Sequence, residues 1–235
     1  NTMLTTFSKQ ADEQIYLNND QNQNSAQYDG VVLKPFKKIL NKHMTKKFIV
    51  IHLLSTHRKY SYRYPDDRAF FQGREDIPIW LNDSQSKEYN AYDNAVRYND
   101  YVVSSLIESF KDSGDNGFLV YFSDHGEEVY DDPQHLFAGR NEAAPTAPMY
   151  TIPFLIWQSN SWKNHSQLNQ LENDIIHRVY SVSDFIYTWA DLAGITFDDF
   201  DASRSIVNPL FTNHPVWIGD PDKPEELRDL QKHPF

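Results

Sequence analysis

Acidic and imidazole side chains gather directly after a short apolar run in the second half of the chain. The run FLVYF (118–122) leads into the segment SDHGE, which carries Asp124, His125 and Glu127, and His135 follows ten residues after His125. Acids and imidazoles at the end of a buried strand cost free energy unless a cation binds there. The spacing therefore predicts a metal site after this strand.

A second group of polar side chains accompanies the apolar run KFIVIHLL (47–54). His52 lies inside the run, and Ser55, Thr56 and His57 come directly after it. Binding sites of open α/β sheets gather beyond the carboxyl ends of strands, so residues from both strand ends could converge. Imidazole nitrogen and carboxylate oxygen are the ligands that zinc accepts where thiolates are absent. The candidate ligands from the two groups are one carboxylate and three imidazoles: Asp124, His125, His57 and His135.

The histidines also have an interpretation without a metal. A lone histidine after a strand is more often an ordinary core or loop residue, and His52 fits that interpretation equally well. His57 and His135 become candidates only in combination with the Asp-His pair. The remaining histidines lack a partner pattern and are predicted to lie on the surface: His43, His165, His177, His214 and His233.

The acidic segment has its own alternative. Asp124 followed by His-Gly fits an Asx-turn after a strand, with Gly126 supplying a positive φ. Glu127 and Glu128 fit solvated loop charges, the usual environment of adjacent acids. Both alternatives stay open on the residues alone.

The elements that must position these residues are predicted from hydrophobic patterns. Three apolar runs predict buried strands: KFIVIHLL (47–54), GFLVYF (117–122) and TIPFLIW (151–157). Because their apolarity is continuous, the sheet is expected to be covered on both faces.

Helical patterns lie between and after these strands. Apolar residues recur at steps of three and four from Ala91 to Phe110, and Gly114 provides the stop. Two later helices are predicted, one over 166–180 and one from an N-cap at Ser183 to Gly194. Strands alternating with helices predict an α/β layered fold, and 235 residues favour one domain over 1–235.

Composition excludes several classes of protein. The formal net charge is −11 and no basic run exceeds two lysines, which argues against nucleic-acid binding. No window is long and apolar enough for a membrane span, and the first residues lack the pattern of a signal peptide. Zero cysteines exclude disulfides and thiolate ligands. Phosphate-binding glycine loops, His-Glu-x-x-His and Gly-x-Ser-x-Gly motifs are also missing.

Four motifs in order resemble one family. FIVIHLLSTHRKYSYRYP, YNAYDNAVRYNDYVVSSLIESFK, FLVYFSDHGEEVYDDPQHLFAG and TIPFLIWQS are similar in order and separation to the catalytic domain of the phosphoethanolamine transferases. That family belongs to the alkaline phosphatase and sulfatase superfamily, and the resemblance is strongest to its branch that modifies lipopolysaccharide core heptose. It runs from Tyr28 to Phe211. It implies an alkaline-phosphatase-like α/β/α sandwich with a mostly parallel central sheet, of which this chain is expected to be the C-terminal portion.

The resemblance also implies roles for individual residues. Asp124 and His125 match ligands of the catalytic zinc, and His57 and His135 match positions associated with a second metal or with the transferred phosphate. These two histidines are therefore expected to be both catalytic and metal-binding. Glu127 matches a position expected to hold a ligand imidazole in one tautomer.

The chain departs from the family in its nucleophile and its membrane anchor. The nucleophilic threonine and a glutamate ligand are expected before Asn1, because Thr2, Thr5 and Thr6 lack a strand-to-helix setting. The anchor is likewise expected outside this chain. The absence of cysteines differs from family members with disulfides and excludes a formylglycine nucleophile in this chain.

The implied function is transfer of phosphoethanolamine from phosphatidylethanolamine to a lipopolysaccharide sugar or phosphate, through a phospho-threonine intermediate. The expected location is the periplasmic face of the bacterial inner membrane, and this chain alone is expected to be inactive. Two alternatives remain: a phosphatase or sulfatase-type hydrolase on the same fold, and a non-catalytic domain that binds glycans or lipid headgroups. Arg58, Lys59, Arg63 and Arg140 are candidates for contacts to an anionic acceptor, although surface salt bridges explain them equally well.

Overall fold

The computed structural model describes residues 8–17, 25–164 and 172–232. They belong to two compact units, Asn1–Gly114 and Asp115–Phe235, and each unit is described by itself. The expectation of a single domain over 1–235 stays a prediction. No helix of the described residues combines the length and the apolar character that crossing a membrane requires.

The first unit is built on helices. Its α-helices are α1 (Leu33–Leu40) and α2 (Asp83–Ser113), and its short 3₁₀ helices are Asp29–Val32, Tyr60–Tyr62 and Asp66–Arg68. Helix α2 buries Ala91, Ala95, Tyr98, Val102 and Leu106, as the periodicity predicted. It ends at Gly114, whose φ of 69° is the left-handed conformation that favours glycine at this position.

Helix α2 begins earlier than the apolar periodicity indicated. The Asn82 side chain accepts hydrogen bonds from the backbone N–H groups of Ser84 and Gln85, and the Gln85 side chain accepts one from the N–H of Asn82. This reciprocal arrangement is a capping box, which satisfies N–H groups that lack partners within the helix. The cap adds a polar first turn that carries no apolar stripe.

A buried asparagine joins α2 to the segment before it. Asn94 is 1% exposed, and its Oδ1 accepts hydrogen bonds from the N–H groups of Phe70 and Phe71 at 2.7 and 2.9 Å. Its Nδ2 donates to the Phe71 carbonyl at 2.9 Å. One amide side chain thus satisfies three backbone groups.

The predicted strand over 47–54 is wrong for the described residues, because this segment is extended but pairs with no strand among them. Its side chains alternate in exposure, and Phe48 and Val50 are 64% and 56% exposed. An extended segment becomes a strand only when a neighbour takes up its N–H and carbonyl groups. The apolar pattern therefore identifies a candidate strand, but it does not specify the neighbouring strand that pairing requires.

The second unit contains the other two predicted strands. Strands β1 (Phe118–Phe122) and β4 (Phe154–Gln158) pair along their whole length, from Phe118 opposite Gln158 to Phe122 opposite Phe154. Two shorter pairs are β2 (Glu128–Val129) with β3 (Ala138–Gly139) and β5 (Trp217–Ile218) with β6 (Arg228–Asp229). All three ladders of the described residues are antiparallel, whereas a mostly parallel sheet was expected.

Short helices surround these strands. They are α3 (Ala147–Tyr150), α4 (Asn160–Lys163), α5 (Glu172–Ile175) and α6 (Phe185–Ala193). A core cluster of Leu192, Ile206 and Val207 packs against β1, β4 and Tyr180. The 3₁₀ helix Pro224–Glu226 lies between β5 and β6.

Two later helices differ from their predictions. Helix α6 ends at Gly194 as predicted, but its N-cap is Asp184 rather than Ser183, because a 3₁₀ turn capped by the Ser181 side chain precedes it. Of the predicted helix over 166–180, residues 166–171 lie outside the described residues. In the described part, Ile175 packs against the core cluster whereas Val179 is 41% exposed. The helix ends at Ile175.

Candidate metal centre

The end of β1 places Asp124 and His125 side by side. His125 Nε2 lies 3.9 Å from Asp124 Oδ2, and the two side chains are 46% and 88% exposed. The Ser123 hydroxyl stabilises the bend of the backbone at Asp124 and His125, because it donates to the His125 carbonyl at 2.8 Å. The carboxylate and the imidazole are therefore neighbours on an accessible surface.

A backbone hydrogen bond selects the tautomer of His125. Its Nδ1 lies 2.8 Å from the Gly126 carbonyl oxygen. Since a carbonyl only accepts hydrogen bonds, Nδ1 carries the hydrogen and Nε2 presents a lone pair beside Asp124. A neutral imidazole in this form is a metal ligand.

Gly126 is required by close packing rather than by a positive φ. Its N–H donates to the Met149 carbonyl at 3.0 Å, and a Cβ on this residue would lie 2.0 Å from the Pro148 carbonyl oxygen. An Asx-turn would need that N–H to bond to the Asp124 side chain, so the turn interpretation is wrong. The glycine instead lets the Asp-His segment pack directly on α3.

Glu128 is a buried carboxylate and not a solvated loop charge. It is 1% exposed, its Oε1 accepts from the N–H of Asp131 at 3.1 Å, and its Oε2 accepts from the Thr146 hydroxyl at 2.5 Å. The interpretation of Glu128 as a solvated charge is therefore wrong. Glu127, in contrast, is half-buried, and its expected role in orienting an imidazole stays a prediction.

His135 lies in the loop between β2 and β3. Its Nδ1 is 3.8 Å from Asp132 Oδ2, and its side chain is 58% exposed. The backbone of the two residues also pairs, because the N–H of His135 donates to the Asp132 carbonyl at 3.0 Å. His135 is thus accessible, on a loop with a defined backbone.

His57 belongs to the first unit and is exposed. Its Nδ1 lies 2.7 Å from the Arg58 carbonyl oxygen, which again leaves the hydrogen on Nδ1 and a lone pair on Nε2. His52 is exposed as well, so the core interpretation of that residue is wrong.

Asp29 was not predicted from the sequence to be a site residue. Its two carboxylate oxygens accept hydrogen bonds from the N–H groups of Leu54 and Ser55, at 3.0 and 2.6 Å. Burial raises the pKa of Asp29, and these two hydrogen bonds oppose that rise. The buried carboxylate fixes the backbone immediately before His57. Its signal in the sequence is only its place at the start of the family resemblance.

The arginines proposed for an anionic acceptor mostly have partners within the chain. Arg58 pairs with Glu88 at 3.1 Å, and Arg140 pairs with Glu142 and donates to the Met149 carbonyl at 2.7 Å. Arg63 is 2% exposed. Lys59 lies over the Tyr62 ring at 5.5 Å. The geometry therefore favours structural roles for Arg63 and Arg140.

Of the three described histidines that were predicted to lie on the surface, two are exposed and one is half-buried. His43 and His177 are exposed. His214 is half-buried, and its Nε2 lies 3.1 Å from the Ser203 hydroxyl. His165, His233 and the threonines Thr2, Thr5 and Thr6 lie outside the described residues.

The Asp124–His125 pair fits two ligand positions of a zinc ion. Their donor atoms are 3.9 Å apart, which is less than two metal–ligand bonds of about 2.0–2.2 Å. Among the described residues, no three His, Asp or Glu side chains form a group that could hold a metal. Two donors on an accessible strand end can therefore supply only part of a coordination sphere.

An α/β fold with an Asp-His pair at a strand end agrees with the family comparison. The chain matches the sulfatase family over residues 1–195 and belongs to that family. The fold predicted from the sequence, an alkaline-phosphatase-like α/β domain, is confirmed by the solved structures that the chain resembles.

The similar proteins are phosphoethanolamine transferases, which confirms the resemblance seen in the motifs. The chain is 50% identical to EptC of Escherichia coli K12 and to CptA of Salmonella typhimurium, over 100% of its own length and 41% of theirs. It thus spans about two fifths of the curated relatives it matches.

Two solved structures were compared with the chain. A crystal structure of the C-terminal periplasmic domain of EptC from Escherichia coli, in complex with Zn, superposes with a TM-score of 0.93 at 50% identity, covering 100% of this chain and 66% of that one. The corresponding domain of EptC from Campylobacter jejuni gives a TM-score of 0.67 at 25% identity, covering 81% of this chain and 61% of that one.

Proposed function

We propose that this chain is the C-terminal part of the catalytic domain of a periplasmic, zinc-dependent phosphoethanolamine transferase. The observation that carries the proposal is the Asp124–His125 pair, with its lone pair on Nε2, in a chain 50% identical to such transferases. The donor is phosphatidylethanolamine and the acceptor is a lipopolysaccharide sugar or phosphate. The location is the periplasmic face of the inner membrane.

Asp124 and His125 would hold zinc through a carboxylate oxygen and Nε2. Bound zinc would lower the pKa of a hydroxyl nucleophile and stabilise charge on the phosphoryl oxygens. The chain's own contribution is orientation: Gly126 lets the segment pack on α3, and the Gly126 carbonyl keeps the hydrogen of His125 on Nδ1. The remaining ligands and the threonine that forms the covalent intermediate are proposed to lie outside these residues.

His57 and His135 are proposed to transfer protons and to stabilise the negative charge of the phosphoryl group. His57 keeps Nε2 available because Nδ1 is bonded to the Arg58 carbonyl, so Nε2 can accept a proton from the acceptor hydroxyl and, once protonated, can donate one to a leaving oxygen. His135 is exposed on its loop and can contact an anionic group. Either histidine could also bind a second metal, and Glu127 is proposed to orient a ligand imidazole.

The test uses the full-length enzyme with a labelled phosphatidylethanolamine donor and a lipopolysaccharide acceptor. Asp124→Ala and His125→Ala should lower transfer by a factor of about 100 or more and reduce bound zinc, because each removes a ligand. His43→Ala and Asp112→Asn, which change exposed residues that have no role in the proposed site, should leave transfer and zinc content unchanged.

Three other outcomes are informative. Full transfer in the Asp124 and His125 variants would overturn the metal assignment. Release of free phosphoethanolamine or inorganic phosphate without transfer would indicate a hydrolase on the same fold. Binding of lipopolysaccharide that persists after chelation of zinc, with no turnover at all, would indicate a binding domain.

A further inference from the structure

Arg63 is a buried cation that bonds to the backbone of the His57 loop, defined here as residues 54–58. Arg63 directly follows the 3₁₀ helix Tyr60–Tyr62 in the chain. It is buried, with 2% exposed. Nε donates to the His57 carbonyl at 2.7 Å, and Nη2 donates to the Arg58 carbonyl at 3.4 Å. A fully buried guanidinium is costly unless its donors are used, and here two of them fix consecutive carbonyls.

The Arg58 carbonyl is shared between Arg63 and the imidazole of His57. His57 Nδ1 donates to this oxygen at 2.7 Å, and a carbonyl oxygen has two lone pairs, so it accepts from both. The carbonyl sets both the tautomer and the direction of the ring. Arg63 in turn sets the position of the carbonyl.

The other end of the loop is fixed by a carboxylate. Asp29 accepts from the N–H groups of Leu54 and Ser55. Burial lowers the pKa of the Arg63 guanidinium and the nearby charge of Asp29 raises it, so the two buried groups stabilise each other in their charged forms. The loop is thereby fixed from both sides by groups of opposite charge.

We propose that Arg63 is a positioning residue for His57, which keeps the hydrogen on Nδ1 and the reactive lone pair on Nε2. The inference rests on the proposed function, in which His57 moves a proton or binds phosphoryl oxygen. Lysine cannot replace this arginine fully, because its single ammonium group lacks the planar fork that reaches two carbonyls.

The experiment is a double-mutant cycle in the full-length enzyme, with kcat, KM for the donor, zinc content and thermal unfolding measured for each variant. Arg63→Met should lower kcat at least about tenfold while zinc content stays unchanged, because a misdirected imidazole transfers protons poorly. In a His57→Ala background the same change should lower kcat by less than about twofold, because Arg63 then has no imidazole to direct. Arg97→Met, which removes an exposed arginine of α2, is the control and should have no effect in either background.

Each outcome separates the two proposals. If Arg63→Met lowers kcat equally in both backgrounds, Arg63 acts on the fold alone and the inference is overturned. If His57→Ala itself keeps full transfer, the role of His57 fails instead. If Arg63→Met does not fold, Arg63→Lys replaces it in the same double-mutant cycle. Arg63→Lys should then lower kcat by an intermediate factor, and only when His57 is present.

Discussion

The Thr146 hydroxyl donates a hydrogen bond of 2.5 Å to the buried carboxylate of Glu128, across 18 residues of sequence. It joins strand β2, directly after the Asp-His segment, to the residue that precedes α3. Together with the hydrogen bond from the Gly126 N–H to the Met149 carbonyl, it fixes the segment that follows the candidate metal ligands.

Thr146→Val should destabilise the protein by about 1 to 3 kcal/mol, because it leaves a buried carboxylate oxygen without its donor. Thr146→Ser keeps the hydroxyl and should cost at most about 1 kcal/mol for the lost methyl group. Denaturant unfolding measures both changes. Equal destabilisation by valine and serine would show that the hydrogen bond contributes no more than the methyl group, which would contradict the prediction.

Gly126→Ala should displace the Asp-His segment, because the new Cβ would lie 2.0 Å from one carbonyl oxygen of α3 and 2.7 Å from that of Thr151. We expect zinc binding and transfer to fall at least about tenfold, as for changes that misplace metal ligands. Gly114→Ala is the matched control: its Cβ meets open space, and only its φ of 69° is unfavourable. That variant should lose about 1 kcal/mol of stability and keep its transfer activity.

Asn94→Ala should destabilise the protein by about 2 to 4 kcal/mol, because two N–H groups and one carbonyl lose their hydrogen bonds. The control is Asn90→Ala on the same helix, where one side-chain hydrogen bond to the Gly73 carbonyl is lost at a more exposed position. Its cost should not exceed about 1 kcal/mol. Thermal unfolding compares the two variants, and equal midpoints would contradict the role of Asn94.

Tyr180 should make the protein sensitive to alkali. Burial raises the pKa of its hydroxyl to about 12, whereas the hydrogen bond with Thr188 at 2.8 Å lowers it. The unfolded chain loses this proton near pH 10, so between about pH 10 and 12 the unfolded state binds fewer protons and stability falls as the pH rises. The stability that depends on the protonated Tyr180 hydroxyl is fully present below pH 10. It amounts to on the order of 1 to 2 kcal/mol after solvent screening is allowed for.

Tyr180→Phe removes this titration, so its stability should decline less than that of the wild type between pH 9 and about 11.5. Urea unfolding at several pH values measures the difference. Tyr16→Phe, which removes a hydroxyl from a side chain that is 69% exposed, serves as the control and should follow the wild type. Parallel curves for Tyr180→Phe and the wild type would contradict the prediction.

Local patterns predicted the parts of the fold that depend on local interactions. The stripe from Ala91 to Phe110 and the stop at Gly114 identify α2, and the apolar runs identify β1 and β4. The run over 47–54 shows the limit, because pairing depends on a distant neighbour that periodicity does not specify. For the same reason the sequence did not predict that β1 and β4 pair antiparallel.

The sequence predicted where Asp124 and His125 lie but not which residues support them, and their role as metal ligands stays a prediction. Asp124 and His125 are recognisable because few other arrangements place an acid and an imidazole directly after an apolar strand. Glu128 and Asp29 were missed because burial of an acid depends on partners far along the chain, such as Thr146 and Leu54. Arg63 was misread as a surface cation for the same reason.

The segment 47–54 also affects how readily copies of the chain aggregate. It holds a window of apolar, largely β-branched residues without proline or glycine, and Phe48 and Val50 present exposed apolar side chains. Such windows template cross-β aggregation between copies of a chain. Lys46 and Lys47 precede the window and act as gatekeepers, since their like charges oppose the stacking of one copy on another. Replacing these two lysines with neutral residues would remove that protection and shorten the time for which the isolated chain stays in solution.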